Sequence, residues 1–458
     1  MKRIYIILQI LIATSLVSSC DSILNKEPVL QTTESNVFSS ADKIKSNLLG
    51  IYSDAKGQIA LKGAAYTDIR GEDVASLSSN VFECYTVYEM AVGLTTTDNS
   101  DTWSKLYTVI NESNTFLANL DNAKDVAGSS YSQYVSEAKF LRALSYYYLN
   151  TLYAYSYSAD STAKSVPLRL KAESSTADNN LARSTVAEVY TQILSDLSES
   201  NIAALPNAGN TYDGITRASQ AAARVLKQRV YMEKNDWKDA ITQGEAITGY
   251  QLLDKVSLIF TNDINKEVIF SFPMSSTNKG GDQTALAYYY HSGNIFILDN
   301  TYGFLSKPNY SLSYDTRIKD LVSTANSNRI LTKYTDYQTY LDWVPVFRYA
   351  EVELNLAESY YNNNQLDKAR EALKQVRHRS IAAELDPLDI DNLSSSDLKT
   401  AIYNERRAEF VGEGIRSLDI HRRGENFVKR NGTFTPSTNG YIWPIPTSER
   451  SVNNLITD

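Results

Sequence analysis

Residues 217–249 and 349–379 of this chain are two copies of one pattern, and that repeat restricts the folds open to it. Tyr231 aligns with Tyr360, Trp237 with Leu366 and Ala240 with Ala369, so tyrosine and alanine stand nine residues apart in both. Each copy reads as helix, short polar turn, helix. The turns are Glu233-Lys234-Asn235-Asp236 and Asn362-Asn363-Asn364-Gln365. A large residue on one helix set against a small one on the next is how tetratricopeptide-type pairs close. A generic helical hairpin shares the turn and the amphipathic faces, and it stands as the plainer alternative.

Helical periodicity recurs upstream. Residues 41–55 carry Ile44, Leu48, Ile51 and Tyr52 on one stripe. Residues 103–120 align Trp103, Leu106, Tyr107, Ile110, Asn114 and Leu117, and residues 137–153 align Ala138, Leu141, Leu144, Tyr148 and Leu152. A further helix opens at Ser184, with Thr185 and Glu188 in its first turn and Val189, Ile193 and Leu197 below. Two stretches break the pattern. Residues 57–101 read as irregular, and residues 251–342 hold one strand, 267–272, a Gly-rich turn at Lys279-Gly280-Gly281-Asp282, and long Tyr-rich sequence. Irregular segments of that length inside a helical protein are more often functional than idle.

The start of the chain speaks to its compartment. Lys2 and Arg3 precede an apolar run, residues 4–17, broken by Gln9, Thr14 and Ser15. The run is shorter than the roughly 20 apolar residues that span a bilayer and has the layout of a secretory signal. It ends in Val17-Ser18-Ser19-Cys20: two small residues that admit a peptidase, then a thiol that accepts diacylglycerol. An ordinary signal cut near a chance cysteine is the alternative. The organisation expected is a lipoprotein signal over 1–19, a lipidated Cys20 with its tether over 20–35, and one helical domain over 36–458. That domain divides into an N-terminal part, 36–250, and a C-terminal part, 251–458. Such a protein is anchored to a membrane by its lipid and does not span it.

Loss of Lys2 and Arg3 with the signal takes the formal charge from −8 to −10. An acidic surface offers no attraction to nucleic acid or anionic lipid. Cys84 is the only cysteine besides Cys20, so the fold rests on its core and not on an internal disulfide.

Residues 405–422 are the richest in chemistry. Glu405, Glu409 and Glu413 recur every four residues, which lines them along one helical face. The Glu409/Glu413 pair has a metal-ligating or acid–base reading. Arg406, Arg407 and Arg416 are interleaved with them, and that pattern favours a structural ion-pair network. His291, His378 and His421 lie far apart and form no metal-binding motif. Lys279-Gly280-Gly281 lacks the phosphate-loop pattern, and no G-x-S-x-G elbow occurs. No enzymatic activity, cofactor or metal is expected.

Six landmarks, taken in order, resemble one known family. They are Trp103, Leu106, Tyr107 and Ile110 with Asn114; Glu137-Ala138-Lys139-Phe140-Leu141-Arg142-Ala143 with Tyr146; and Val166-Pro167-Leu168. Further on come Arg348 to Leu354 with Ala357, Glu358, Val376 and Arg377; Glu405, Arg406, Glu409, Phe410, Glu413, Gly414, Arg416, Asp419 and Arg422; and Trp443-Pro444-Ile445-Pro446 with Glu449. The chain is similar to the SusD/RagB-type outer-membrane lipoproteins. Lys374 departs from the family's usual asparagine. The resemblance implies a mostly α fold of about four tetratricopeptide-like helix pairs. An irregular, loop-rich region with short β-strands would lie across them.

The resemblance also implies a function. Such a protein is outer-membrane, lipid-anchored and exposed at the cell surface. It captures oligosaccharide or polysaccharide and hands it to a TonB-dependent (SusC-like) transporter. Peptide capture in the same kind of uptake system, or a repeat scaffold holding another protein, are the alternatives. The family places ligand contacts in the irregular regions, which points to Asp68, Arg70, Tyr85 and Tyr88 in the first and Tyr288, Tyr289 and Tyr290 in the second. By residue type alone each tyrosine is equally a candidate for core packing.

Overall fold

The computed structural model describes residues 34–175, 179–207 and 209–456. The signal segment, Cys20 and most of the tether lie outside the described residues. The main helices are α1 (Ala41–Lys56), α2 (Lys62–Arg70), α3 (Thr97–Asn122), α4 (Tyr131–Tyr153), α5 (Val186–Asp196), α6 (Glu199–Ala204) and α7 (Tyr212–Thr216). They continue with α8 (Gln220–Glu233), α9 (Trp237–Glu245), α10 (Leu286–Tyr290), α11 (Tyr349–Asn362), α12 (Leu366–Ser380), α13 (Ser395–Phe410) and α14 (Ile415–Arg422). The fold is mostly helical, as expected.

Local chemistry sets the helix starts. Ser40 accepts a hydrogen bond from the Lys43 N–H at the start of α1. Thr185 and Glu188 form a reciprocal capping box on α5, one residue later than the Ser184 start expected from sequence. Helix contacts run from α1 to α3, α4 and α5, and then from α8 to α9, α11 and α12, with α6 bridging α4 and α8. One apolar core, from Ile44 to Ile456, is continuous through both parts of the chain.

The two repeat pairs match in backbone detail. Asn235 and Asn364 occupy aligned turn positions with φ +56° and +58°. The next residues, Asp236 and Gln365, each donate an N–H to the tyrosine carbonyl, Tyr231 O or Tyr360 O, at 2.8 Å. Asparagine tolerates this left-handed conformation better than other side-chain-bearing residues. Ala240 and Ala369 are fully buried where the second helix meets the first.

The first irregular stretch begins otherwise than expected. Residues 57–70 are helical: a π-helical turn, Gly57–Leu61, leads directly into α2. Ile59, Ala60, Leu61, Ala64, Ala65, Tyr66 and Ile69 are all buried. A helix wrapped on every side has no polar face, so no amphipathic period is there to be read. Gly63 is obligatory, because a Cβ there would stand 1.8 Å from Gln58 O.

The strands are short and paired in twos: β1 (Val74–Ser76), β2 (Val268–Phe272), β3 (Phe296–Leu298), β4 (Val322–Ala325), β5 (Asn328–Leu331), β6 (Val344–Arg348), β7 (Phe427–Lys429) and β8 (Gly432–Phe434). The expected strand appears as β2, antiparallel to β6. The pairing of β1 with β3, Val74 opposite Leu298 and Ser76 opposite Phe296, brings the two irregular stretches together.

Candidate functional site

The seam between those stretches carries an aromatic surface built on α10. Five residues of helix hold three consecutive tyrosines, and consecutive helical residues point about 100° apart. Leu286, Ala287, Tyr289 and Tyr290 face the interior, and Tyr288 is the one turned outward. Its hydroxyl donates to Glu83 Oε1 at 2.7 Å, which joins the second stretch to the first. Burial, then the Glu83 carboxylate, pushes the Tyr288 phenol up to about 12.

His291 follows at the end of α10. Its Nδ1 lies 2.9 Å from Tyr288 O and 3.2 Å from Ala287 O. Both neighbours are carbonyl oxygens, so Nδ1 carries a hydrogen. The imidazole stacks on Tyr337, with centroids 4.5 Å apart and planes 12° apart. Tyr337 is 46% exposed. Tyr340, held at φ +56°, donates to Asp282 Oδ1 at 2.5 Å. Burial and that carboxylate push its phenol up to about 12.

The loop carrying Tyr337 and Tyr340 is fastened from several sides. Asp336 accepts the backbone N–H of Thr339 at 2.8 Å and of Leu341 at 2.9 Å. Lys279 Nζ donates to Thr339 O at 2.5 Å. Phe82, next to Glu83 in the chain, is 57% exposed. The result is a cluster of rings edged by the carboxylates Glu83 and Asp282 and by the His291 imidazole. Ring faces suit flat C–H surfaces, and the polar edge suits hydroxyl groups.

Five of the seven residues expected to contact ligand are in the core, which corrects the sequence reading. Asp68 is buried in α2, accepting from Gly414 N at 2.7 Å and Tyr290 Oη at 3.1 Å. Burial pushes its carboxyl up to about 7. Arg70 is buried, with Nη2 2.6 Å from Tyr441 O and its guanidinium 5.2 Å from the Phe427 ring centre. Tyr88 lies buried beneath the Lys429 ammonium, 4.3 Å from its ring centre. Tyr289 stacks on Phe296 at 4.6 Å, and Tyr290 meets the same ring edge-on at 5.5 Å. Only Tyr85 and Tyr288 are partly exposed.

None of His291, Tyr337, Tyr340, Glu83 and Asp282 is singled out by the sequence as a ligand contact: His291 enters there only as a histidine without a metal motif and Asp282 only as part of a turn. The available signal was the three-residue spacing of Tyr334, Tyr337 and Tyr340, yet Tyr334 is buried and spacing does not say which ring faces out.

The acidic stretch around Glu409 is no open site, and it is not one helical face: α13 ends at Phe410, Glu413 stands in the turn that follows, and α14 starts at Ile415. Arg348 reaches Glu409 at 2.6 Å, Glu413 at 2.7 Å and Glu267 at 2.9 Å, all buried. Arg317 binds Asp315 and Glu405, and Arg406 and Arg422 share Asp419. Burial opposes ionisation of Glu409, but the guanidiniums of Arg379, Arg348 and Arg317 hold it well below the usual carboxylate range. Among the described residues no group of three or more His, Cys, Asp or Glu side chains is placed to hold a metal ion. No helix among them is long and apolar enough to cross a membrane.

Two family models match the chain: one described as "Starch-binding associating with outer membrane" over residues 23–232, the other as "SusD family" over residues 276–458. A SusD superfamily protein from Bacteroides fragilis, solved by crystallography, is 48% identical and superposes with a TM-score of 0.89, over 92% of this chain and 100% of that one. SusD-like protein P25 of Formosa agariphila is 22% identical over 96% of this chain and 95% of its own length. A laminarin-binding SusD-like protein has the same fold, with a TM-score of 0.72 and 20% identity over 91% of this chain and 98% of that one.

Proposed function

The chain belongs to the SusD/RagB family, and we propose that it captures oligo- or polysaccharide on the surface formed by Tyr288, His291, Tyr337 and Tyr340. The observation that carries this reading is the exposed Tyr337 ring stacked on His291, with the half-buried Tyr288 and Tyr340 beside it and Glu83 and Asp282 at the border, an arrangement suited to the C–H faces and hydroxyl edges of a sugar chain. Tyr288 is the one residue of this surface that the sequence expectation named. The starch-binding description of one matching family and the laminarin-binding fold neighbour support carbohydrate as the ligand class. Delivery to a TonB-dependent outer-membrane transporter, and anchoring at the cell surface through a lipid on Cys20, belong to the same reading.

The test uses a soluble form beginning at Asp21, run through gels cast with a panel of polysaccharides and followed by calorimetry. Retardation by one polymer class, lost on Tyr337→Ala, is the expected result. Equal behaviour of the parent and the variant on every polymer overturns the assignment, and binding of peptides from a protein digest would replace it.

A further inference from the structure

A cavity of about 230 Å³ opens between α1, α7 and the chain leaving β2. Its rim is exposed: Lys45, Leu49 and Tyr212. Its interior is formed by Tyr52, Lys56 and Phe272, each at most 5% exposed. The volume is below the roughly 300–1,000 Å³ of a drug-sized site, which suits a single ring and not a chain of them.

The charge inside it is unbalanced. Lys56 is only 4% exposed. Its ammonium donates to Pro273 O at 3.0 Å and Asn278 O at 2.7 Å. Among the described residues no carboxylate pairs with it, and a lysine has a third donor to give. Arg217, also in the wall, is held in a two-pronged bond to Glu137 at 2.6 and 3.0 Å, and Tyr52 donates to the same carboxylate at 2.8 Å. Asp213 stands at the rim, 61% exposed, 3.5 Å from Lys45 and 3.8 Å from Arg217. Glu137 therefore balances Arg217, Asp213 is shared near the mouth, and the inner cation has only carbonyl dipoles. A buried cation without a counter-ion is costly, and an anion brought to it is bound more strongly than in water.

We infer that this cavity is a carboxylate-binding site, in which Lys56 takes the acid group and the walls of Tyr52, Phe272 and Tyr212 take a ring-sized body. It is distinct from the aromatic surface of α10 and does not depend on what that surface binds. Two sources share the chemistry: a free aromatic acid and the uronate of a sugar. Burial, the sole cause acting on it, lowers Lys56 to about 8. The groups facing it across the cavity are Asp213 from α7 and Arg217 just past its end, with Tyr52 and Lys45 from its own helix. Affinity for a carboxylate is therefore expected to decline as pH rises through about 8, when the ammonium loses its proton.

Calorimetry with benzoate and glucuronate, each against its neutral amide, tests the assignment. One acid or both bind, the amides do not, and Lys56→Met weakens binding by about 10- to 100-fold, the worth of a charged hydrogen bond. Benzoate alone names a free aromatic acid as the source, and glucuronate alone names a sugar acid. Should Lys56→Met fail to fold, the parent protein titrated from pH 7 to 9.5 carries the test, with Tyr212→Ala as a rim variant that leaves Lys56 in place. Binding of acid and amide alike, no binding of either acid, or affinity unchanged across that pH range overturns it.

Discussion

His291 lies flat on Tyr337, ring centres 4.5 Å apart and planes 12° from parallel, although 46 residues separate them in the chain. The stack holds an exposed tyrosine in one orientation, and an oriented ring loses less conformational freedom on binding than a free one. Replacing Tyr337 by alanine is expected to weaken glycan binding by about 1 kcal/mol or more. Its effect on stability should stay within about 0.5 kcal/mol, as for most surface positions. Calorimetry beside a urea melt separates the two effects.

Arg348 is 1% exposed and serves Glu267, Glu409 and Glu413 together. Arg348→Met leaves those carboxylates short of a partner in the core. Breaking a buried pair from one side costs about 3–5 kcal/mol. A urea midpoint close to the parent's would show that the network contributes little.

Acid should unfold the protein through the same network. Burial opposes ionisation of Glu358, but Arg422 and Arg423 override it and lower its carboxyl to about 2. Glu413 and Asp419 are also held down, by Arg348 and Lys333 and by Arg406, Arg423 and Arg422. A carboxylate depressed in the folded state adds stability that is complete above its unfolded value, about 4.3 for glutamate, and is lost as pH falls toward the folded value. Melting temperature should therefore drop between about pH 4.5 and 2, and a flat profile there would contradict the assignment.

Asp68 acts in the opposite direction. Burial raises it to about 7, so its contribution is complete below the unfolded value near 3.9 and declines as pH rises through 7, by at most about 1.4 kcal/mol per pH unit. Asp68→Asn keeps an acceptor for Gly414 N–H and removes the titration. The variant should lose less stability than the parent between pH 5 and 8, read from paired urea melts.

Asn235 and Asn364 sit at φ +56° and +58° in the two repeat turns. A β-branched residue there meets the full left-handed penalty. Asn364→Val should destabilise by about 1–2 kcal/mol, and Asn364→Gly should be close to neutral. Equal melts for the two variants would remove the conformational argument.

The repeat pairs, the strand at 268–272 and the ion pairing of the Glu/Arg-rich stretch around Glu409 were legible in the sequence, because each is written in local spacing. Residue types at three, four or nine positions apart determine which side chains share a face whatever surrounds them. The outward face of α10 was not legible. In a five-residue helix Tyr288, Tyr289 and Tyr290 carry no phase of their own, and packing against Phe296 and Asp68 turned two of them inward. Nor was the joining of β1 to β3, which pairs Ser76 with Phe296 across more than two hundred residues. The sequence by itself thus determined the helical frame and its buried charge pairs. The tertiary structure decided which aromatic rings reach solvent, since burial is settled by the elements that close over a segment and not by the segment's own pattern.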